Sequence, residues 1–194
     1  MSTSSLIFAA VVVFWVVGAY NRLMRHKNAI AQAFGPIDAQ LKCRYDLTLN
    51  IVEALKKYLP QDCDTLEAVL SARNVARTAS DALRSRPTHA PVVGAFSAAE
   101  LAFEGALNDL FAAAEASPEL KADGALQEFK QQLSSVGAKV SFAGQVYNTA
   151  VLDYNNAQGQ FPALLIAKIF GFKPSVQLAS TEAIIERRTE HLPV

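Results

Sequence analysis

The chain opens on an apolar run and continues with patterns typical of long helices. Residues 6–20 (LIFAAVVVFWVVGAY) contain no charged side chain. As a helix this run spans about 22 Å of a hydrocarbon core about 30 Å thick, and residues 2–5 extend it to about 28 Å. The pattern predicts a transmembrane anchor. The alternative is a cleaved signal peptide ending near Ala19, which would lack the usual basic region before the apolar run.

The remaining hydrophobic positions have helical periodicity without strand-like alternation, so we predict an all-α fold. A first long helix should leave the membrane and end near Leu59, with Pro36 inside it. Two shorter helices should open on capping boxes at 64–67 (DTLE) and 97–100 (SAAE), and a long fourth helix should span about 123–160. These lengths predict an antiparallel up-down-up-down bundle with four helices in its distal half and two near the membrane.

Heptad repeats on the first and fourth helices predict the seam along which these two helices pack as a coiled coil. Arg44 and Thr48 interrupt the seam on the first helix. The apolar seam positions are Ile30, Phe34, Ile37, Leu41, Ile51, Leu55 and Tyr58 on the first helix, and Leu126, Phe129, Leu133, Val136, Val140, Ala143, Tyr147, Ala150, Tyr154, Ala157 and Phe161 on the fourth.

A second apolar segment, residues 161–172 (FPALLIAKIFGF), carries a single charge. It is too short to span a bilayer, so it should either lie against the headgroups or plug the base of the bundle. The pattern does not choose between these two positions. We therefore divide the chain into a transmembrane anchor (1–20), a cytoplasmic helical bundle (21–160), an apolar membrane-proximal segment (161–174) and a C-terminal tail (175–194).

The distribution of charge gives the anchor a direction. The chain has 18 basic and 18 acidic residues, so its net charge is zero, yet residues 1–21 carry none of them. Arg22, Arg25 and Lys27 follow at once, and the positive-inside rule then predicts an outer N-terminus and a cytoplasmic bundle. The balanced total does not indicate binding to nucleic acid.

Residues typical of catalysis or metal binding do not form a recognisable motif. His26, His89 and His191 are far apart in the sequence, and Cys43 and Cys63 match no zinc or redox spacing. No phosphate-binding glycine loop or nucleophile motif occurs. We therefore predict a non-enzymatic protein with no catalytic residues, no metal site and no cofactor.

Two arginines occupy core-type positions of the helices. Counting from the membrane-distal turns places Arg44 level with Glu100, and Arg73 level with Glu53 and Glu104. Because an unpaired buried charge costs several kcal/mol, we predict that these pairs form structural polar layers. In the alternative, both arginines reach solvent along the bundle edge. The same glutamates would be the candidates if the chain were a hydrolase.

The dipeptide Tyr-Asn occurs at 20–21, 147–148 and 154–155, and the antiparallel fold should bring these copies toward the membrane end. They form either a lipid-proximal or subunit-contact patch, or simply part of the seam. The residues predicted to lie near the membrane are Tyr20, Arg22, Arg25, Lys27, Tyr147, Tyr154, Phe161, Phe170 and Phe172.

Several motifs follow one another in a recognisable order. They are Tyr20-Asn21, Ile37-Asp38-x-Gln40-Leu41-Lys42-x-Arg44-Tyr45-Asp46-Leu47, Asn50-Ile51-Val52-Glu53, Ala72-Arg73, Glu115-x-x-Pro118-x-Leu120-Lys121, Tyr147-Asn148, Tyr154-Asn155 and Gly171-Phe172-Lys173-Pro174. Together they resemble the LemA family of bacterial membrane-anchored helical proteins. The resemblance implies one inner-membrane helix, a long-helix cytoplasmic bundle and no established catalytic residues.

These observations predict a single-pass membrane protein that self-associates and organises or shapes the membrane. Self-association is expected because two helices alone cannot enclose the seam near the membrane, so other copies should cover it. The expected partners are membrane lipid and further copies of the chain. The alternative is a membrane-tethered adaptor that recruits a protein partner, for example in membrane protein quality control, through residues 86–96 or the tail 175–194.

Overall fold

The fold is all-helical, as predicted. The computed structural model describes residues 3–59, 61–117, 120 and 124–178, and no strand occurs among them. The elements in chain order are α1 (Thr3–Leu55), α2 (Cys63–Ser85), α3 (Ala90–Ala116), α4 (Ala125–Gly159) and α5 (Ala163–Phe170).

The first helix, α1, changes character along its length. It is a continuous helix of 53 residues that includes Pro36 in its interior. In its N-terminal part the large apolar side chains are exposed, and Phe14 is 79% exposed. This part is long and apolar enough to cross a membrane. From Leu23 onward one face of α1 is buried against the rest of the protein.

The long helices pack as the heptad pattern predicts. α1 packs along α4, while α2 packs along both α1 and α3. On α4 the seam residues Leu126, Val136, Tyr147 and Tyr154 are buried in the core. Phe161 departs from the prediction because it lies beyond the end of α4 and is 76% exposed.

Helix α3 also meets the length and composition criteria for a membrane span. Its buried side chains recur at helical spacing and belong to the bundle core, as Val93, Phe96, Phe103 and Leu107 show. Its apolar character is therefore explained by packing against other helices, which does not require a membrane.

Both predicted capping boxes are wrong. α2 begins at Cys63, one residue before Asp64, and no side chain caps its first turn. α3 begins seven residues before Ser97, with Pro91 in its first turn. Proline suits that position because its fixed φ is helical and it has no backbone N–H to satisfy. Ser97 lies inside the helix and donates its hydroxyl to the carbonyl of Val93 at 3.0 Å.

The base of the bundle is closed by α5. Ala163, Ile166 and Ala167 form a second core cluster with Leu23 of α1 and Ala157 of α4. α5 ends where Gly171 adopts a left-handed conformation with φ 69°. The chain then returns along α4 through residues 172–178, which we call the strap. The seam near the membrane is thus covered by the same chain, contrary to the expectation that other copies cover it.

Candidate membrane-contacting site

The short helix α5 has two faces of different environment. Its buried face packs on the base of the bundle, as described above. On its other face Leu165 is 47% exposed and Ile169 is 74% exposed, and the single charge of the helix, Lys168, is exposed between them. Phe161, just before α5, is exposed as well. Large apolar side chains exposed side by side mark a surface that contacts another apolar phase or a partner.

The segment that contains α5 lies beside the last turns of the apolar run. The rings of Trp15 and Phe161 are 5.8 Å apart between centroids, and those of Tyr20 and Phe170 are 5.1 Å apart. The α5 cluster also includes Val16 from the same part of α1. One face of the segment therefore plugs the base of the bundle, which is one of the two predicted positions; its position relative to headgroups stays a prediction.

The other residues predicted near the membrane at the start of the bundle are either exposed or packed on an aromatic ring. Arg22 and Arg25 are exposed one turn beyond the apolar run, and Lys27 lies over the ring of Phe172 at 5.8 Å. Tyr20 and Phe172 are also in contact, at 5.7 Å between ring centroids. The first helical turns after the apolar run thus form a compact aromatic and cationic base.

Tyr147 belongs to the seam, which is the second of the two interpretations of the Tyr-Asn pairs. This side chain is buried against Phe34 in the bundle core, and its hydroxyl donates to the carbonyl of Pro87 at 2.5 Å. Burial raises the pKa of Tyr147 to about 12. Tyr154, one heptad nearer the membrane, donates its hydroxyl to the carbonyl of Lys173 at 3.1 Å. The heptad spacing that places both tyrosines in the seam also separates their heights by about 10 Å.

Two asparagines bind the strap to α4 through its main chain. Asn155 donates to the Ser175 carbonyl at 2.9 Å and accepts from the Ser175 amide at 3.0 Å. Asn148 does the same with Leu178, at 3.0 and 2.8 Å. Sequence reasoning missed this role. The only available signal was the seven-residue spacing of the Tyr-Asn pairs, and it does not reveal a main-chain partner.

The predicted contact between Arg44 and Glu100 is present in the distal bundle. The Arg44 guanidinium donates to one carboxylate oxygen at 3.0 Å, and the Tyr45 hydroxyl donates to the other. Arg44 also lies over the ring of Phe103 at 5.1 Å. Burial raises the pKa of Glu100 more than the nearby Arg44 charge lowers it. Burial and the carboxylate together also raise the pKa of Tyr45.

The predicted carboxylate partners of Arg73 are wrong. Its Nε donates to the main-chain carbonyl of Tyr45 at 2.7 Å, and its nearest carboxylate is Asp46 at 3.5 Å. Glu53 is exposed. The negative charge of Glu104 acts on Glu100 and contributes to raising the pKa of Glu100. Burial lowers the pKa of Arg73. The guanidinium is thus held by a main-chain acceptor and by Asp46 instead of the predicted glutamates, and the heptad pattern does not indicate main-chain acceptors.

Asp38 forms a further polar contact that sequence reasoning missed. The buried carboxylate accepts from Lys42 at 2.8 Å within α1 and from Arg84 of α2 at 3.3 Å. It links the end of α2 to the middle of α1, close to the level where the four-helix section begins.

The described residues lack a grouping of side chains suited to a metal ion. In the ranges given above, no three His, Cys, Asp or Glu side chains lie together as a metal site would require. Cys43 and Cys63 are both exposed and are not joined in a disulfide.

Fold and site together define an all-helical protein with an apolar N-terminal helix long enough to cross a membrane. The LemA family model matches residues 33–190 of the chain, which therefore belongs to the LemA family. The matched range covers most of the bundle, α5 and the strap, and it confirms the resemblance noted in the sequence. Comparison with curated protein sequences found no match.

Proposed function

We propose that the chain is a single-pass membrane protein in which α1 crosses the bilayer and α5 lies in the headgroup region of the leaflet facing the bundle. The exposed apolar face of α5 beside the anchor carries this proposal. Arg22, Arg25 and Lys27 follow the anchor directly, which supports a bundle on the cytoplasmic side of a bacterial inner membrane.

In this arrangement α5 acts as a shallow wedge that organises or shapes the membrane. An apolar helix face buried about 5–10 Å deep occupies volume in one leaflet only. Because Ile166 and Ala167 fix α5 to the bundle, the wedge keeps its depth and direction relative to the anchor. The role is physical and requires no turnover of a substrate.

Self-association would concentrate these wedges in one membrane patch. The open seam that motivated it is covered within the chain, so that argument no longer supports it. Its support comes instead from α4, where Phe142 is 70% exposed and Val146 is 50% exposed outside the seam. We propose that copies of the chain meet through this surface.

The structure offers less support for the adaptor alternative. The connection between α2 and α3 is engaged by Tyr147 through Pro87, and the strap is bound along α4. Residues 90–96 are part of α3. The part of the tail beyond Leu178 lies outside the described residues.

The depth of α5 can be measured with a fluorescent probe. Ile169→Cys in a full-length Cys43→Ser/Cys63→Ser background would carry an environment-sensitive dye in liposomes. We expect a blue-shifted emission that brominated lipids quench. Gln131→Cys, exposed at the distal end of α4, is the control and should report water. A water-like signal at position 169 would contradict the proposal.

Membrane shaping and self-association can be separated by two variants. Ile169→Lys should abolish deformation of liposomes seen by electron cryomicroscopy while leaving crosslinking between copies intact. Phe142→Lys should reduce crosslinking and leave the dye at position 169 in lipid. If Ile169→Lys deforms liposomes as the unmodified protein does, or if the unmodified protein deforms none, the wedge is excluded.

A further inference from the structure

A cavity of about 600 Å³ lies between α5, the first half of α1 and the start of α3. We call it the basal cavity. Its size is within the range of small-molecule sites. Tyr20, Met24 and Lys27 of α1 line one side, and Lys173 from the strap lines another. The connection to α3 contributes residues 88–91, including His89.

The charged groups of the basal cavity are all of one sign. Lys27 and Lys173 line it, and the described lining contains no Asp or Glu. Within the part of the chain that the structure describes, neither lysine takes part in an ion pair. The N-terminal end of α3 also faces the cavity and adds the positive end of its dipole. The cavity is therefore suited to an anion.

The position of the basal cavity indicates the source of that anion. Tyr20 closes the apolar run of α1, and Phe170 at the end of α5 packs against it; both side chains line the cavity. If α1 and α5 lie in the membrane as proposed above, the cavity is at the depth of the lipid phosphates. Lipid can therefore reach it from the side without leaving the bilayer.

We propose that the basal cavity binds the phosphate of one anionic phospholipid, with Lys27 and Lys173 as its cationic ligands. This inference rests on the membrane position given under the proposed function. The apolar walls from Met24 and Phe172 suit the glycerol and first acyl carbons of a lipid. A free phosphate ion would leave most of the volume empty, so the lipid is the better fit.

Binding can be measured with full-length protein in neutral detergent. The probe is dihexanoyl phosphatidate, and the readout is the melting temperature as a function of its concentration. We expect a saturable rise for phosphatidate and none for dihexanoyl phosphatidylcholine. Each lysine forms a charge-assisted contact, so Lys27→Gln/Lys173→Gln should weaken binding roughly a hundredfold.

The matched control is Arg22→Gln/Arg25→Gln, which removes the same charge at the same end of α1 from side chains outside the cavity. It should retain binding within a few-fold. An equal loss of affinity in both double variants would show that phosphatidate is held by diffuse electrostatic attraction and not by the cavity, and would overturn the proposal. Inorganic phosphate that binds as tightly as phosphatidate would also overturn it, because the lipid would then contribute nothing beyond its phosphate.

The dye at position 169 distinguishes failure of this inference from failure of the proposed function. Absence of saturable binding while Ile169 still reports lipid would remove the basal cavity as a lipid site and leave the wedge intact. A water-like signal at Ile169 would remove the membrane position on which both proposals depend.

Discussion

The distal bundle and the base formed around α5 differ in how their charged side chains are paired. In the distal bundle Arg44 is matched by Glu100, and Arg73 by a main-chain carbonyl. At the base Lys27 lies over an aromatic ring, with no carboxylate among the described residues that line the basal cavity. The distal bundle provides acceptors for its own arginines, whereas the base leaves its lysine available to a ligand.

Apolar side chains show the same contrast. Phe103 in the distal core is completely buried, while Phe161 and Ile169 at the base are about three-quarters exposed. A region whose cations are paired and whose apolar side chains are buried stabilises the fold. A region whose cations are unpaired and whose apolar side chains are exposed is suited to contact with a membrane or a ligand. The comparison therefore assigns stability mainly to the distal bundle and binding to the base.

The sharpest way to test this contrast is to remove one phenylalanine from each region. Phe103→Ala deletes a fully buried ring that packs against Tyr45, and should lower the free energy of unfolding by about 4 kcal/mol. Phe161→Ala should lower it by less than about 1 kcal/mol. Denaturant titration of the full-length protein in neutral detergent measures both. Equal losses would contradict the division into two regions.

Removing one cation from each region should have a smaller effect. Arg44→Met leaves the Glu100 carboxylate buried without its cationic partner and should cost about 3 kcal/mol of stability. Lys27→Met leaves no carboxylate unpaired and should change the stability by less than about 0.5 kcal/mol. Arg86→Met, at an exposed position, controls for loss of charge. An unchanged melting curve for Arg44→Met would exclude a structural role for this layer.

Releasing the strap should have a more moderate effect. Asn148→Leu/Asn155→Leu removes four hydrogen bonds to the main chain and should cost about 2 kcal/mol. Hydrogen exchange should show faster exchange of the Ser175 and Leu178 amides. Asn156→Leu, an exposed neighbour, is the control. Unchanged exchange at both amides would show that the asparagines do not hold the strap.

The smallest expected effect is a pH dependence confined to the distal bundle. Burial raises the pKa of Glu100 above its ordinary value of 4.5, so the folded protein keeps this proton after the unfolded chain has lost it. The resulting stabilisation is complete below pH 4.5 and is lost as the pH rises through the raised pKa of the folded protein. Over this window the free energy of unfolding should fall with pH by at most about 1.4 kcal/mol per unit.

Glu100→Gln isolates that contribution, because its own carboxyl is gone while all other titrations remain. Subtracting its stability curve from that of the unmodified protein should give the downward slope. A difference for Glu100→Gln that rises with pH would reverse the assignment.

Much of the fold could be predicted from the sequence because it depends on periodicity. The seam positions Ile30 and Tyr147 are buried as the heptads indicated, and the Arg44 and Glu100 pair followed from counting helical turns. The first turn of α3 was predicted wrongly because Ser97 and Glu100 have the spacing of a capping box inside a continuous helix.

The base was harder to predict because its partners are not encoded by spacing. The α5 segment has large apolar side chains on both faces and a single charge, Lys168, on the outward one; its packing against Leu23 and Ala157 fixes that orientation. Asn148 and Asn155 bind main-chain groups, which every residue possesses, and no side-chain pattern marks the strap as their partner. The cavity beside them arises from three segments that are distant in the sequence.

The two asparagine attachments also match a spacing along the helix α4 to a spacing along the extended strap. Asn148 and Asn155 are seven helical residues apart, about 10.5 Å, and their partners Leu178 and Ser175 are three residues apart, about 10 Å when extended. Because the two spacings match, both asparagines can bind an extended strap at the same time. The few residues between Gly171 and Ser175 therefore have a limited length, which sets how far α5 stands from the bundle.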